Sequence, residues 1–310
     1  MNFARQRRLA WPPSDHRLAV VAVLVAACLW GLSGTLAQIL FQQLLVSPAW
    51  LVTVRMLGSG LVLSLVLRPK INLRRDLLPL AVFGILGLGL VQFTYFAAIA
   101  VSNVATATFL QYLSPALVVG WQLVAREVRP AVRVVGGVAL AVLGTTLLAL
   151  SGAGADISPA ALFFGLGSAV AAAFYTLYPA RLMARIGPWP TTAYGFVAGG
   201  VAFSLFAPPW HAPALTPSDW LLVAAVVVGG TLIPFGLYLW GVSRMTATEA
   251  AVIATAEAAA AALAGGLILG QVLSVQGYAG GGLVVGAVSM VSLARRRPAP
   301  PPELPIRSET

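Results

Sequence analysis

The chain has 310 residues, of which 59% are hydrophobic and only 9% charged. A water-soluble domain carries roughly 25% charged residues, so this chain cannot wet a folded surface and belongs in lipid. The net charge is +10. The single cysteine, Cys28, excludes an intrachain disulfide, and two His with nine scattered acids exclude a metal cluster.

Residues 1–17, MNFARQRRLAWPPSDHR, form a basic, polar segment. Apolar character then runs from Leu18 to about Leu40. That is longer than the roughly 7–15 residue core of a signal peptide and long enough to span. Val25-Ala26-Ala27-Cys28 resembles a lipoprotein processing box, but helices rich in Val and Ala produce this pattern by chance. A span needs about 20 apolar residues, and ten stretches qualify: 18–40, 48–67, 77–98, 103–124, 130–150, 158–180, 189–207, 218–241, 248–269 and 275–294. No gap between them is long enough for a soluble domain. The tail 295–310, RRRPAPPPELPIRSET, is Pro-rich and charged and reads as a disordered extension.

The basic residues fix a topology. Apart from Arg55, and with Arg133 in the first turn of span 5, the 19 Lys and Arg lie before span 1, between spans 2–3, 4–5, 6–7 and 8–9, or after span 10. The alternate connections carry none. Positive residues stay cytoplasmic, so both termini are expected inside. The same placement argues against nucleic acid as a partner, because the charges sit beside anionic lipid.

The chain also repeats itself. The span 4 to 5 hairpin, 103–137, has a relative at 248–281. Gly136-Gly137 falls near Gly280-Gly281, Pro115 near Ala258 and Glu127 against Gln271. The offset of about 140–144 residues matches five spans, an odd number, so the second copy enters the membrane from the other side. The expected fold is all-α, with ten transmembrane helices in two inverted five-helix repeats, 18–150 and 151–294. Such repeats place a substrate site between the halves near the midplane.

Leu29-Trp30-Gly31 in span 1, Pro48 to Arg55 followed by a Gly/Leu run, Leu113-Ser114-Pro115 followed by Arg126-Glu127, and Gly136-Gly137 at the start of span 5 carry a resemblance. On these motifs the chain resembles the EamA family of the drug/metabolite transporter superfamily, which includes amino-acid and metabolite exporters of the YddG type. The resemblance covers residues 18–294. It implies a multi-pass secondary transporter of the bacterial inner membrane that exports small metabolites, amino acids above all. The second copy departs from the family pattern. It has Glu257-Ala258 where the family usually reads Glu-Pro, and Gly270-Gln271 where it reads Gly-Glu. This weakens the case for a helix break in span 9 and for an acidic role at 271.

Ionisable groups in mid-bilayer are costly and should face the bundle interior. Arg55 lies about 10 Å past Pro48, and Glu257 about 13 Å past Thr248, by helical rise. Arg55 reads either as a carboxylate clamp or as an anchor on backbone carbonyls. Glu257 reads as a proton-coupling carboxylate, a partner for a substrate ammonium, or a packed hydrogen-bonded residue. Glu249, at the start of span 9, reads as a cap. Trp30, Ser33, Gln38, Gln92, Tyr95, Thr108, Gln111, Ser114, Tyr175, Tyr178 and Trp240 are the candidates for a cavity of aromatic walls with a few amides and hydroxyls. The bland alternative is interhelical bonding and interface belts; Tyr238 and Trp240 both fit a belt. Pro115 should kink span 4, as a gate hinge or as a fixed bend. Gly277, Gly280, Gly281, Gly282 and Gly286, with the Ala258–Ala262 run, fit close packing within a monomer or across a homodimer.

No catalytic set, phosphate-cradling glycine loop or metal spacing appears, so neither an enzyme nor a cofactor is expected. The expected partners are a small-molecule substrate, the lipid bilayer and protons. Alternatives are a drug or nucleotide-sugar carrier of the same superfamily, or a membrane-embedded enzyme or sensor.

Overall fold

The computed structural model describes residues 13–68, 71–125, 131–150, 158–270 and 274–292. The tail expected at 295–310, most of the N-terminal segment, Arg126, Glu127 and Gln271 lie outside the described residues.

Helices occupy every apolar stretch expected from the sequence, and no strand occurs among the described residues. The first half comprises α1 (Pro13–Gln42), α2 (Pro48–Leu67) and α3 (Leu73–Val82). A π-helical stretch, Phe83–Gly89, leads from α3 into α4 (Leu90–Val101). The half is completed by α5 (Val104–Gln111), α6 (Ser114–Val124) and α7 (Val132–Leu150). The second half comprises α8 (Pro159–Leu177), α9 (Ala180–Ile186), α10 (Pro188–Ser204) and α11 (Pro217–Val227). A π-helical stretch, Val228–Leu232, leads into α12 (Ile233–Val242). Then come α13 (Ala247–Ala254), α14 (Ala256–Leu269) and α15 (Val275–Ser292). Seven helical runs among the described residues are long and apolar enough to cross a membrane; Val132–Leu148 and Val275–Val291 are shorter apolar helices.

The helix starts follow from local chemistry. Proline occupies the first turn of α2, α8, α10 and α11, where a missing N–H costs nothing. The two halves use matching devices at matching places. Asn103 caps α5 by accepting from Thr106 N at 2.8 Å, and Thr246 caps α13 in a capping box with Glu249, the role expected of that acid. Asn72 N donates to Asp76 at 3.0 Å and Thr216 N to Asp219 at 2.9 Å. The π-helical stretches 83–89 and 228–232 recur at the same offset.

Span 4 breaks at Tyr112–Leu113, and Pro115 sits in the first turn of the helix that restarts there. Span 9 breaks as well, at Thr255, which corrects the expectation drawn from its missing proline. A back-bonded threonine replaces the proline. The Thr255 hydroxyl donates to Val252 O at 2.6 Å. Thr255 N donates to the same carbonyl at 3.1 Å, and Ala258 N bonds Thr255 O at 3.0 Å. These are successive i to i−3 contacts, which tighten the backbone and interrupt the α ladder.

The broadest helix contacts run between the halves: α2 on α10, α7 on α15, α4 on α8, and α1 on α12 and α14. This pattern suits two related units that pack face to face. At the α7–α15 crossing, a Cβ on Gly144 would lie 2.7 Å from Gly280 O, and one on Gly280 would lie 2.6 Å from Gly144 O. Small residues let the backbones meet there. Gly281, Gly282 and Gly286 have nothing within 4 Å of an added Cβ, so the glycines of this helix do not share one packing face. At one end of the bundle, Arg185 of α9 pairs with Asp76 of α3, tying the halves together again.

Gly144→Val is therefore expected to lower the thermal stability of the detergent-purified protein, by about 1–3 kcal/mol for overpacking. Gly282→Val in the same helix pair should leave it near the parent value. Equal melting temperatures for both variants would overturn the assignment of the crossing.

Candidate functional site

The breaks in spans 4 and 9 flank a cavity walled by both halves. Its lining comes from α1, α2, α4 and the 111–114 break on one side, and from α8, α12, α13 and α14 on the other. The cavity volume is about 60 Å³.

Glu257 sits in the first turn of α14, just past the Thr255 break, and is 2% exposed. Tyr95 of α4 donates its hydroxyl to Oε1 at 2.9 Å. Tyr112, in the gap between α5 and α6, donates to Oε2 at 2.6 Å. Thr108 of α5 bonds the Tyr95 hydroxyl at 2.8 Å. A buried carboxylate needs such donors on both oxygens. Three interrupted or neighbouring helices thus converge on one side chain, and the bonds cross from the first half to the second.

Arg55 of α2 is equally buried. Its Nε donates to Thr231 Oγ1 at 2.5 Å and its Nη2 to Gly230 O at 2.8 Å. Both partners lie in the π-helical stretch of 228–232. The reason lies two residues into α12: Pro234 has no N–H to give the carbonyl four residues back, that of Gly230. The guanidinium supplies the missing donor. The Phe96 ring lies 4.3 Å below the guanidinium carbon. Among the described residues no carboxylate comes within ion-pair distance of Arg55, so it and Glu257 stand in one cavity as separate poles.

The remaining wall is aromatic. Trp30 meets Phe235 edge-on at 4.9 Å and Tyr238 at 5.3 Å. Tyr175 stacks on Tyr238 at 5.2 Å, and the Tyr238 hydroxyl bonds that of Thr176 at 3.0 Å.

Of the residues singled out from sequence, Trp30, Ser33, Arg55, Gln92, Tyr95, Gln111, Ser114, Tyr175 and Glu257 line this cavity. Gln111 accepts from Ser168 at 2.5 Å, and Gln92 donates to Leu88 O at 3.0 Å. Four lie elsewhere. Gln38 accepts from Val104 N at 3.0 Å and so holds the start of α5. Thr108 stands behind Tyr95. Tyr178 stacks on Phe174 and Phe83 beside the break between α8 and α9. Trp240 carries Arg244 over its ring at 3.9 Å. Pro115 borders the cavity through its neighbour Ser114. Tyr238, which also fits an interface belt, is instead buried in the cavity wall with Phe235. Thr231, Phe235 and Tyr238 share one helical face, and that spacing is the signal that marks them. Ala251 and Ala254 also line the cavity, and alanine gives no sequence signal.

The profile of the EamA-like transporter family matches the chain twice, over residues 17–150 and 159–293. The chain belongs to this family. Both matched stretches contribute residues to the cavity wall. This EamA-like transporter is 37% identical over 293 residues to a Salmonella typhimurium protein named an uncharacterized inner membrane transporter, YicL, covering 91% of this chain and 98% of that one. It is 24% identical over 289 residues to the uncharacterized transporter YwfM of Bacillus subtilis, covering 89% and 94%. A crystal structure with 23% identity superposes with a TM-score of 0.71 over 89% of this chain and 96% of that one, which shows a shared fold. The protein is a multi-pass transporter of the inner membrane.

Tyr95→Phe removes the donor to Glu257 and the oxygen that Thr108 bonds, whereas Thr108→Val leaves the Tyr95–Glu257 bond in place. Tyr95→Phe is expected to cost about 1–3 kcal/mol of stability, and Thr108→Val clearly less. Thermal unfolding in detergent checks the order, and a reversed order would remove Glu257 from the centre of the network.

Proposed function

We propose that this transporter exports small metabolites, amino acids above all, by alternating access in the manner of YddG-type exporters. In this reading the chain crosses the membrane ten times with both termini in the cytoplasm. The two five-span halves are inverted, and the substrate site lies between them. The distribution of basic residues supports the orientation, and an odd number of crossings per half supplies the inversion.

The observation that carries the reading is the cavity. Both halves build it, aromatic rings wall it, and it holds one cation and one carboxylate that do not pair with each other. A zwitterion matches two separated poles of opposite sign. Glu257 is the coupling site in this reading. Its hydroxyl cage can accept a carboxylate, or rearrange around a carboxylic acid, because each tyrosine O–H both donates and accepts. Pro115 and the back-bonded Thr255 provide the flexible points at which spans 4 and 9 swing past each other.

Efflux of labelled amino acids from proteoliposomes, against empty vesicles, tests the proposal. The parent protein should move at least one neutral amino acid faster when a pH gradient is imposed. Glu257→Gln should abolish that gradient dependence, and unchanged coupling would remove Glu257 from the mechanism. If Pro115 is a moving hinge, Pro115→Ala should slow turnover several-fold at unchanged expression. A parent-like rate would make it a fixed bend.

A further inference from the structure

We infer that Arg55, Ser33 and Trp30 form a subsite for the carboxylate of the transported molecule. The inference rests on the transport reading in taking the central cavity as the substrate site.

The argument begins with hydrogen-bond accounting. Buried polar atoms in folded proteins nearly always have partners. Five buried polar atoms of the cavity lining have none among the described residues: the donors Arg55 Nη1, Ser33 Oγ and Trp30 Nε1, together with the Tyr175 hydroxyl and Gln92 Oε1. Arg55 and Ser33 are 2% and 4% exposed, so ordinary solvent contact does not account for them. Trp30 and Ser33 stand one turn apart on α1 and share a face. Ser33 and Arg55 converge at Gly230. A Cβ placed there would collide with Ser33 Oγ and lie 3.5 Å from Arg55 Nη2.

The chemistry of the three donors is one-sided. Guanidinium and indole N–H groups donate and cannot accept, and a serine hydroxyl can turn to donate. The guanidinium is already fixed by its bonds to Gly230 and Thr231 and by the Phe96 ring, which leaves Nη1 as its nitrogen without a partner. Among the described residues no carboxylate pairs directly with it, and both Glu257 oxygens are taken by Tyr95 and Tyr112. A group that satisfies this wall must bring acceptor atoms and a negative charge, and a carboxylate does so with two oxygens. The adjoining rings of Trp30, Phe235 and Tyr238 favour a flat or apolar body next to that carboxylate.

Three small probes separate the possibilities: 3-phenylpropionate, phenethylamine and phenylalanine, each added to the full-length protein in detergent. Thermal shift and titration should show binding of 3-phenylpropionate and phenylalanine, with phenethylamine weaker by about tenfold or more. Ser33→Ala and Trp30→Phe each delete a donor that bonds nothing among the described residues. Ser33→Ala should therefore keep or raise the melting temperature without probe, Trp30→Phe should lower it somewhat through lost packing on Phe235 and Tyr238, and both should weaken 3-phenylpropionate binding by about tenfold. Arg55→Gln should abolish carboxylate binding. It also strips the bonds to Gly230 and Thr231, so if it does not fold, the other two variants decide the question.

The inference is overturned if 3-phenylpropionate does not bind, or if phenethylamine binds as well. It is also overturned if Ser33→Ala and Trp30→Phe bind 3-phenylpropionate like the parent. Amino-acid efflux that persists in the vesicle assay alongside any of these results leaves the transport reading standing and removes only the carboxylate subsite.

Discussion

Glu257 accepts from two tyrosines that reach it from the opposite half of the molecule, and the middle of the bundle is arranged to permit this. In hydrocarbon there is no water to solvate a carboxylate, so donors must come from the protein. Tyr112 can reach Glu257 because span 4 opens at residues 112–113. Glu257 meets both tyrosines from the first turn of α14, immediately after the interruption at Thr255. The two breaks thus serve a single buried group, and that group in turn holds the broken ends in register.

Interruption elsewhere follows the same logic. A spanning helix can give up a backbone bond only where something else satisfies the freed group. Pro234 removes one donor, and the carbonyl it leaves is taken by Arg55. The arginine also finds Thr231, in the widened turn that precedes the proline. A charged residue that looks expensive in sequence is therefore also the repair for a neighbouring irregularity. The helices that pack at the edge, α7 and α15, carry no such break and meet through close backbone contact between glycines instead.

Much of this was legible in the residues. Long apolar runs separated by short breaks with Pro, Gly, Ser or Asp located the helices, because such breaks are local chemistry. Pro115 located the break in span 4. The break in span 9 was hidden because a threonine bonding back to Val252 does through its side chain what proline does through a missing N–H, and most membrane threonines bond back without breaking anything. Mid-span amides and Arg55 pointed inward because hydrocarbon gives them no partners. Gln38 and Thr108 obeyed the same rule and still fell outside the cavity, since capping a helix and bracing a tyrosine use the same polar groups as lining a site. Ala251 and Ala254 carried no signal, because a cavity wall and a packed core draw on the same apolar residues.

The contact at Gly230 has a consequence for how this wall can change over evolutionary time. Ser33 already occupies the volume that any side chain at 230 would need, so positions 33 and 230 share a single allotment of space across the two halves. A substitution that adds atoms at one is tolerated only when the other loses them, and the joint change must also preserve the carbonyl on which Arg55 is moored. Sequences that keep this architecture should therefore vary at the two positions together or not at all, although nearly two hundred residues separate them in the chain.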